Sequence, residues 1–206
     1  MAKKRLQKRS KHATAAAPSP RLPAFSLDDL SSEQQALVEA IRSGPRGRFH
    51  NEGPFAVYLH APGYGKLAQA LGGYLRYHTS LPPRLKEFAI LCTAQHWKAQ
   101  YEWHAHAPMA ANDGVNAKAI RDLKSGRPAK SAAKDELAIY TFVKELYAKR
   151  RVSNAAYARV HKLIGDAGMV ELVGILGYYA LISMTLNVFR MPLPEGSPTP
   201  FREPRI

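Results

Sequence analysis

Apolar residues in this chain recur at three- and four-residue intervals over most of its length, and no stretch alternates with the period of two that marks a half-buried strand. The expected fold class is therefore all-α, with about seven to nine helices. Ser31 or Ser32 caps a first short helix, SSEQQALVEAIRSG, whose apolar stripe is Leu37, Val38 and Ile41. GPRGRFHNEGP reads as loop, and PFAVYLHAP as a short helix. In PGYGKLAQALGGYLRYHTSLPP a stripe of Leu67, Ala70, Leu71, Tyr74 and Leu75 predicts a helix that stops at Pro82-Pro83. Gly72-Gly73 weakens it unless something packs closely there. The GYGK tetrapeptide lacks both the spacing and the preceding strand of a phosphate loop.

Pro83 suits the first turn of the next helix, with Leu85, Phe88, Ala89, Cys92 and His96 facing the core. Glu87 lies beside that stripe. Lys98 to Gly114, KAQYEWHAHAPMAANDG, continues the helical pattern and ends at Gly114, after which Asn116 caps AKAIRDLKSG. KDELAIYTFVKELYAKR is amphipathic, Ser153 caps NAAYARVHKLIGDAG, and MVELVGILGYYALISMTLNVF carries one charge, Glu171. That last helix is long enough to span a bilayer, but its Gly, Ser, Thr, Asn and interior Glu favour a buried core helix, and no membrane partner is expected.

Chemistry concentrates in the stretch after Lys98. Glu102 and His106 are four residues apart, which stacks a carboxylate and an imidazole on one helix face among Ala99, Trp103, Met109 and Ala110. Burial of such a pair shifts its protonation, as acid–base catalysis requires. His104, Tyr101 and Trp103 are neighbours able to contact a substrate, with His104 on another side of the helix. A His-x-His pair on a helix sends its imidazoles apart, so no metal site is expected. Asn187 and Arg190 follow the last helix. Arg190 either grips a substrate carboxylate or caps a helix C-terminus as a cation; both readings stay open. The single cysteine, Cys92, sits in an apolar run and excludes an internal disulfide and any CxxC motif.

Glu87, Ala99, Glu102 and His106 stand in the spacing E-x11-A-x2-E-x3-H. With RLKEFAIL at 84–91, YEWHAHAPMAANDGV at 101–115 and NVFRMPLPEG at 187–196, this resembles the carboxymuconolactone decarboxylase and alkylhydroperoxidase D-like superfamily. The resemblance covers residues 45–196. It implies a helical bundle of the alkylhydroperoxidase D-like type and a homo-oligomer, a trimer or hexamer. The peroxidase branch has cysteines where Ala99 and Glu102 stand here, so thiol peroxidase chemistry is nearly excluded. The decarboxylase branch acts without cofactor on a small carboxylated lactone, an anionic substrate. By resemblance, His106 moves the proton, Glu102 orients it or shares it, and Glu87 is a relay acid. A hydrolase, isomerase or hydratase for a related acid on the same scaffold is the alternative. A continuous helix from 84 to 107 would put Glu87 and Glu102 on different faces, so the transfer of Glu87 requires a break near Lys98–Gln100, where no Gly or Pro marks one.

Charge adds one further feature. The net charge is +14, and half of the excess lies in residues 1–24, which carry seven Lys or Arg and no acid. The expected organisation is a flexible basic extension over 1–24, a helical domain over 25–196 and an extended tail over 197–206. The extension has no apolar core of a secretory signal, so a cytoplasmic protein is expected, with organelle targeting open. A solubilising tail is the favoured reading over nucleic-acid binding through the basic residues.

Overall fold

In the computed structural model, which describes residues 19–203, eight α-helices and one short 3-10 turn make up the regular structure, and no strand occurs among the described residues. They are α1 (Ser32–Arg42), α2 (Gly53–Tyr58), α3 (Pro62–Tyr77), α4 (Pro83–Trp97), α5 (Gln100–Asn112), α6 (Ala117–Lys124), α7 (Lys134–Lys149) and α8 (Asn154–Phe189). α4 is the centre. Every residue from 85 to 94 is buried, because α5, α6, α7 and α8 all pack on it. Glu87, beside the apolar stripe in the sequence, is consequently as buried as the stripe itself. His96, expected toward the core, is exposed and stacks on Tyr147 at 4.5 Å.

Local signals explain most boundaries. Ser31 closes a capping box with Gln34, Asn116 accepts from the amides of Lys118 and Ala119, and Ser153 accepts from that of Ala156. The two helices expected between residues 154 and 189 form one element, interrupted at Gly165, where φ of 66° and ψ of −174° leave the helical region. Residues 166–189 pass beside α2, α3, α4, α5 and α7 as a core helix.

Of the stripe on α3, only Leu75 faces the core. Leu67, Leu71 and Tyr74 are exposed, and α3 instead turns its small residues inward, with Gly65, Ala68, Gly72 and Gly73 buried. Tyr178 of α8 fills the space: a Cβ at position 72 would fall 2.0 Å from its hydroxyl.

Both ends depart from expectation where they are described. Residues 19–24, placed in the flexible extension, are tied down by the Arg21 amide donating to the Phe189 carbonyl at 3.0 Å and its guanidinium donating to the Val188 carbonyl at 2.8 Å. The remainder of that extension, residues 1–18, lies outside the described residues. In the C-terminal tail, Phe201 is buried against Trp103, and the Gln100 side chain brackets its backbone through two hydrogen bonds of 2.7 and 2.8 Å. Through residue 203 the tail is extended but docked.

Candidate active site

The break that Glu87 needs is present. Lys98 adopts a left-handed conformation (φ 50°, ψ 35°), ends α4, and lets α5 start two residues later at a new angle. Folded back in this way, α5 lays His106 against α4. Nδ1 of the His106 ring lies 2.6 Å from Glu87 Oε2, and toward a carboxylate that nitrogen is the donor. Its Nε2 lies 3.3 Å from Glu102 Oε2, in ion-pair range but without hydrogen-bond alignment, and no other group satisfies that oxygen. One imidazole thus stands between two carboxylates, all three side chains buried.

Arg76, at the end of α3, brings a cation to the other side of Glu87, 3.8 Å from Oε1. Burial opposes its charge, but Tyr179 and Glu87 outweigh that cost, and its pKa rises above the ordinary guanidinium value. Its guanidinium also contacts Met109 Sδ at 2.7 Å. A cavity of about 260 Å³ opens here, lined by Arg76, Lys86, Glu87, Met109, Asn112 and Asp113 among others. Lys86 is largely buried and donates to the Arg76 carbonyl; burial lowers its pKa, with Glu87 acting against that shift.

Desolvation dominates the Glu102 carboxyl and pushes its pKa above the usual carboxylate range, with His106 and Arg76 pulling the other way. Tyr179 closes the site edge-on to His106 at a ring distance of 5.0 Å, and Tyr178 contacts Tyr179 in the same way at 5.5 Å. Burial raises both phenols, that of Tyr178 to about 12.

Glu87, Glu102 and His106 therefore come together. The remaining candidates do not join them. His104 is half-exposed and makes no hydrogen bond or ion pair with the three. The Tyr101 ring packs on Gly53 beside Glu52; burial, then Glu52, raises its hydroxyl to about 12. Trp103 is a core residue under Phe201. Asn187 donates to the Trp97 carbonyl at 2.8 Å, tying the end of α8 to the end of α4. Arg190 is the left-handed cap of α8 (φ 53°), the capping role left open by the sequence, and it does not reach the carboxylate–imidazole cluster. Arg76, Tyr178 and Tyr179 escaped the sequence reading, since each belongs to a different helix from the Glu–His pair. Cys92 is a buried free thiol whose pKa is raised chiefly by desolvation, the opposite of an activated nucleophile. No group of three or more metal-ligating side chains forms a metal site among the described residues.

No family model and no curated protein matches this sequence. Solved structures do. An alkylhydroperoxidase AhpD core, an uncharacterized peroxidase-related protein from Ralstonia eutropha JMP134, superposes with a TM-score of 0.70 at 16% identity, covering 87% of this chain and 95% of that one. An uncharacterized peroxidase-related protein from Silicibacter sp. TM1040 gives a TM-score of 0.67 at 13% identity, over 84% of this chain and 91% of that one. This chain has the AhpD-core fold. Within that fold Ala99 is the buried residue before the first turn of α5, and Glu102, one turn on, presents its carboxylate to His106. The chain has a single cysteine, the buried Cys92, and so carries no thiol pair of its own.

Proposed function

We propose that this protein is a cofactor-independent acid–base enzyme acting on a small carboxylated substrate of the lactone type, by decarboxylation with proton transfer. The observation that carries the reading is the buried imidazole of His106 with a carboxylate at each ring nitrogen. Glu87 holds Nδ1 as a donor, which fixes the ring and leaves Nε2 to exchange a proton with Glu102. A carboxyl whose proton affinity is raised by burial serves as the reservoir. Cleavage of the bond to the leaving carboxylate puts an electron pair on carbon. The proton held between Glu102 and His106 then returns to that carbon, and carbon dioxide departs. Arg76 and Lys86, at the cavity beside Glu87, supply the positive charge that draws an anion to the site.

Turnover of carboxymuconolactone and a panel of related lactone acids, followed by ultraviolet absorption, tests this. Wild type is expected to consume at least one of them, with His106→Asn and Glu87→Gln each reduced at least about a hundredfold, as for loss of a general acid–base group. Undiminished turnover in His106→Asn refutes the reading.

A second copy of this chain is the partner proposed. Tyr64, Leu67, Leu71 and Tyr74 leave an apolar stripe along α3, and Val170 and Val173 expose a further one on α8. Contiguous exposed apolar side chains of this kind favour self-association.

A further inference from the structure

Lys86 is the one lysine buried among the described residues. A lysine is almost never buried without a partner for its charge. The one lysine ion pair among the described residues is that of Lys118 with Asp122, at 3.0 Å. The Lys86 amine instead donates to the Arg76 backbone carbonyl, a neutral acceptor. An ammonium has three donors, and this one meets a single acceptor. Lys86 is also the fourth residue of α4, at the positive end of that helix's dipole. Both features favour the free amine over the ammonium.

The groups around Lys86 divide. Burial lowers its pKa, Glu87 opposes that, Arg76 adds to it, and Asp113 and Tyr77 act with Glu87. The pKa stays below that of an ordinary lysine, so more of the side chain is free amine at neutral pH. A desolvated lysine beside another cation is an activated nucleophile toward carbonyl carbon. Space for a substrate lies against it: Lys86 lines the cavity of about 260 Å³ together with Arg76, Tyr77, Met109, Asn112 and Asp113. That volume suits a metabolite of a few carbons. The Arg76 guanidinium, 5.5 Å from the Tyr77 ring centre, offers a carboxylate a two-point grip in the same cavity.

We infer that Lys86 is a second reactive group of this cavity, which captures the carbonyl carbon of a small oxo acid as an imine while Arg76 holds the acid's carboxylate. This activity goes beyond the acid–base reading and requires neither Glu102 nor a lactone. Protonated, Lys86 draws the anion in; the imine forms from the fraction that has lost its proton. The amine lone pair makes the new carbon–nitrogen bond and the carbonyl π pair moves to oxygen. That oxygen then leaves as water with the two amine protons. In a 3-oxo acid the protonated imine receives the electron pair of the bond to the leaving carboxylate. Carbon dioxide departs, the enamine takes a proton at carbon, and water releases the ketone and restores the amine.

Pyruvate with cyanoborohydride tests the capture step, because reduction fixes an imine as a stable secondary amine that peptide mass mapping locates. In the full chain at pH 7, Lys86 is expected to be labelled at least about tenfold faster than the exposed Lys66 and Lys124, through its larger share of free amine and the held carboxylate. That advantage should shrink as pH rises toward the ordinary lysine value of about 10.4, where every lysine loses its proton. Acetone, which has no carboxylate for Arg76, should show a smaller preference for Lys86 over Lys66 than pyruvate does. Lys86→Gln, which keeps a donor for the Arg76 carbonyl, should abolish the fast phase. Labelling of Lys86 no faster than that of Lys66, or the same preference with acetone as with pyruvate, overturns the inference. The readout needs no turnover: fast labelling without lactone-acid turnover counts against the acid–base reading alone, and slow labelling with turnover intact counts against Lys86 alone.

Discussion

Adjacent glycines on α3 give opposite predictions from one substitution. Gly72→Ala and Gly73→Ala both place a methyl group in the interior of the same helix, and both gain about 1 kcal/mol of helix propensity. At position 73 the nearest atom is Pro45 Cγ at 3.8 Å, an ordinary contact, so the propensity gain survives. At position 72 the methyl meets the Tyr178 hydroxyl at 2.0 Å and its ring carbon Cζ at 2.3 Å. Tyr178 is buried against Tyr179 and cannot step aside without disturbing the core. Overpacking of this kind costs about 1–3 kcal/mol, which cancels or exceeds the gain. Gly73→Ala is thus expected to be more stable than wild type by about 0.5–1 kcal/mol, and Gly72→Ala to fall below it by up to about 2 kcal/mol. For a chain of this length the two melting temperatures should differ by roughly 5 °C. Urea titrations at one fixed protein concentration, with the slope compared as well as the midpoint, measure the difference. A Gly72→Ala protein as stable as Gly73→Ala would refute the claim that Tyr178 is wedged against α3, and with it the seating of the phenols at the site.

Glu102 gives a pH signature. Its folded-state pKa is raised, so the folded protein binds the proton more tightly than the unfolded chain does; its contribution is favourable at low pH and is lost as pH rises above the ordinary carboxylate value of about 4.3. Glu102→Gln removes that loss. Its stability relative to wild type should rise with pH above that value, by no more than about 1.4 kcal/mol per pH unit for one proton, in urea midpoints taken from about pH 4 to 7. A flat or falling difference would contradict the raised proton affinity. For the exposed stripe, Leu67→Glu is expected to shift the protein to smaller species in sedimentation velocity without lowering the monomer's helix content; an unchanged mass would remove α3 from the subunit contact.

The parts of the fold legible in the sequence are those fixed by neighbours within one helix. Ser31, Asn116 and Ser153 cap where a hydroxyl or amide side chain precedes an amphipathic run, and the inward face of α7 follows its period, with Ile139, Phe142 and Val143 buried. Periodicity fails on α3 because both of its faces look usable. Its larger apolar residues form the visible stripe, yet the core needs its small ones, since Tyr58 and Tyr178 must approach the backbone. Only the size of the opposing side chains decides which face turns in, and those lie on α2 and α8. Arg76 and the tyrosines were hidden for the same reason. They lie on α2, α3 and α8 with no spacing that ties them to one another, whereas Glu102 and His106 share one turn of α5.

The break between α4 and α5 has a cause that also recurs elsewhere in the chain. Three described non-glycine residues have positive φ, Lys98, Arg150 and Arg190, and each caps the C-terminus of a helix: α4, α7 and α8. All three are cations. The left-handed conformation costs an L-residue about 1–2 kcal/mol, and a positive charge at the negative end of the helix dipole returns about 0.3–1 kcal/mol of it. At Lys98 the ammonium also lies 5.2 Å from the Phe201 ring, so the docked C-terminal segment adds to the cap. Glycine, the usual mark of such a stop, is absent, which is why the turn is invisible to a search for helix breakers. The strain is retained at the one place where a straight helix would hold Glu87 and Glu102 on different faces. Relieving it by continuing the helix would cost the 2.6 Å contact between Glu87 and His106, so the position of Lys98 is dictated by the site and tolerated by the fold.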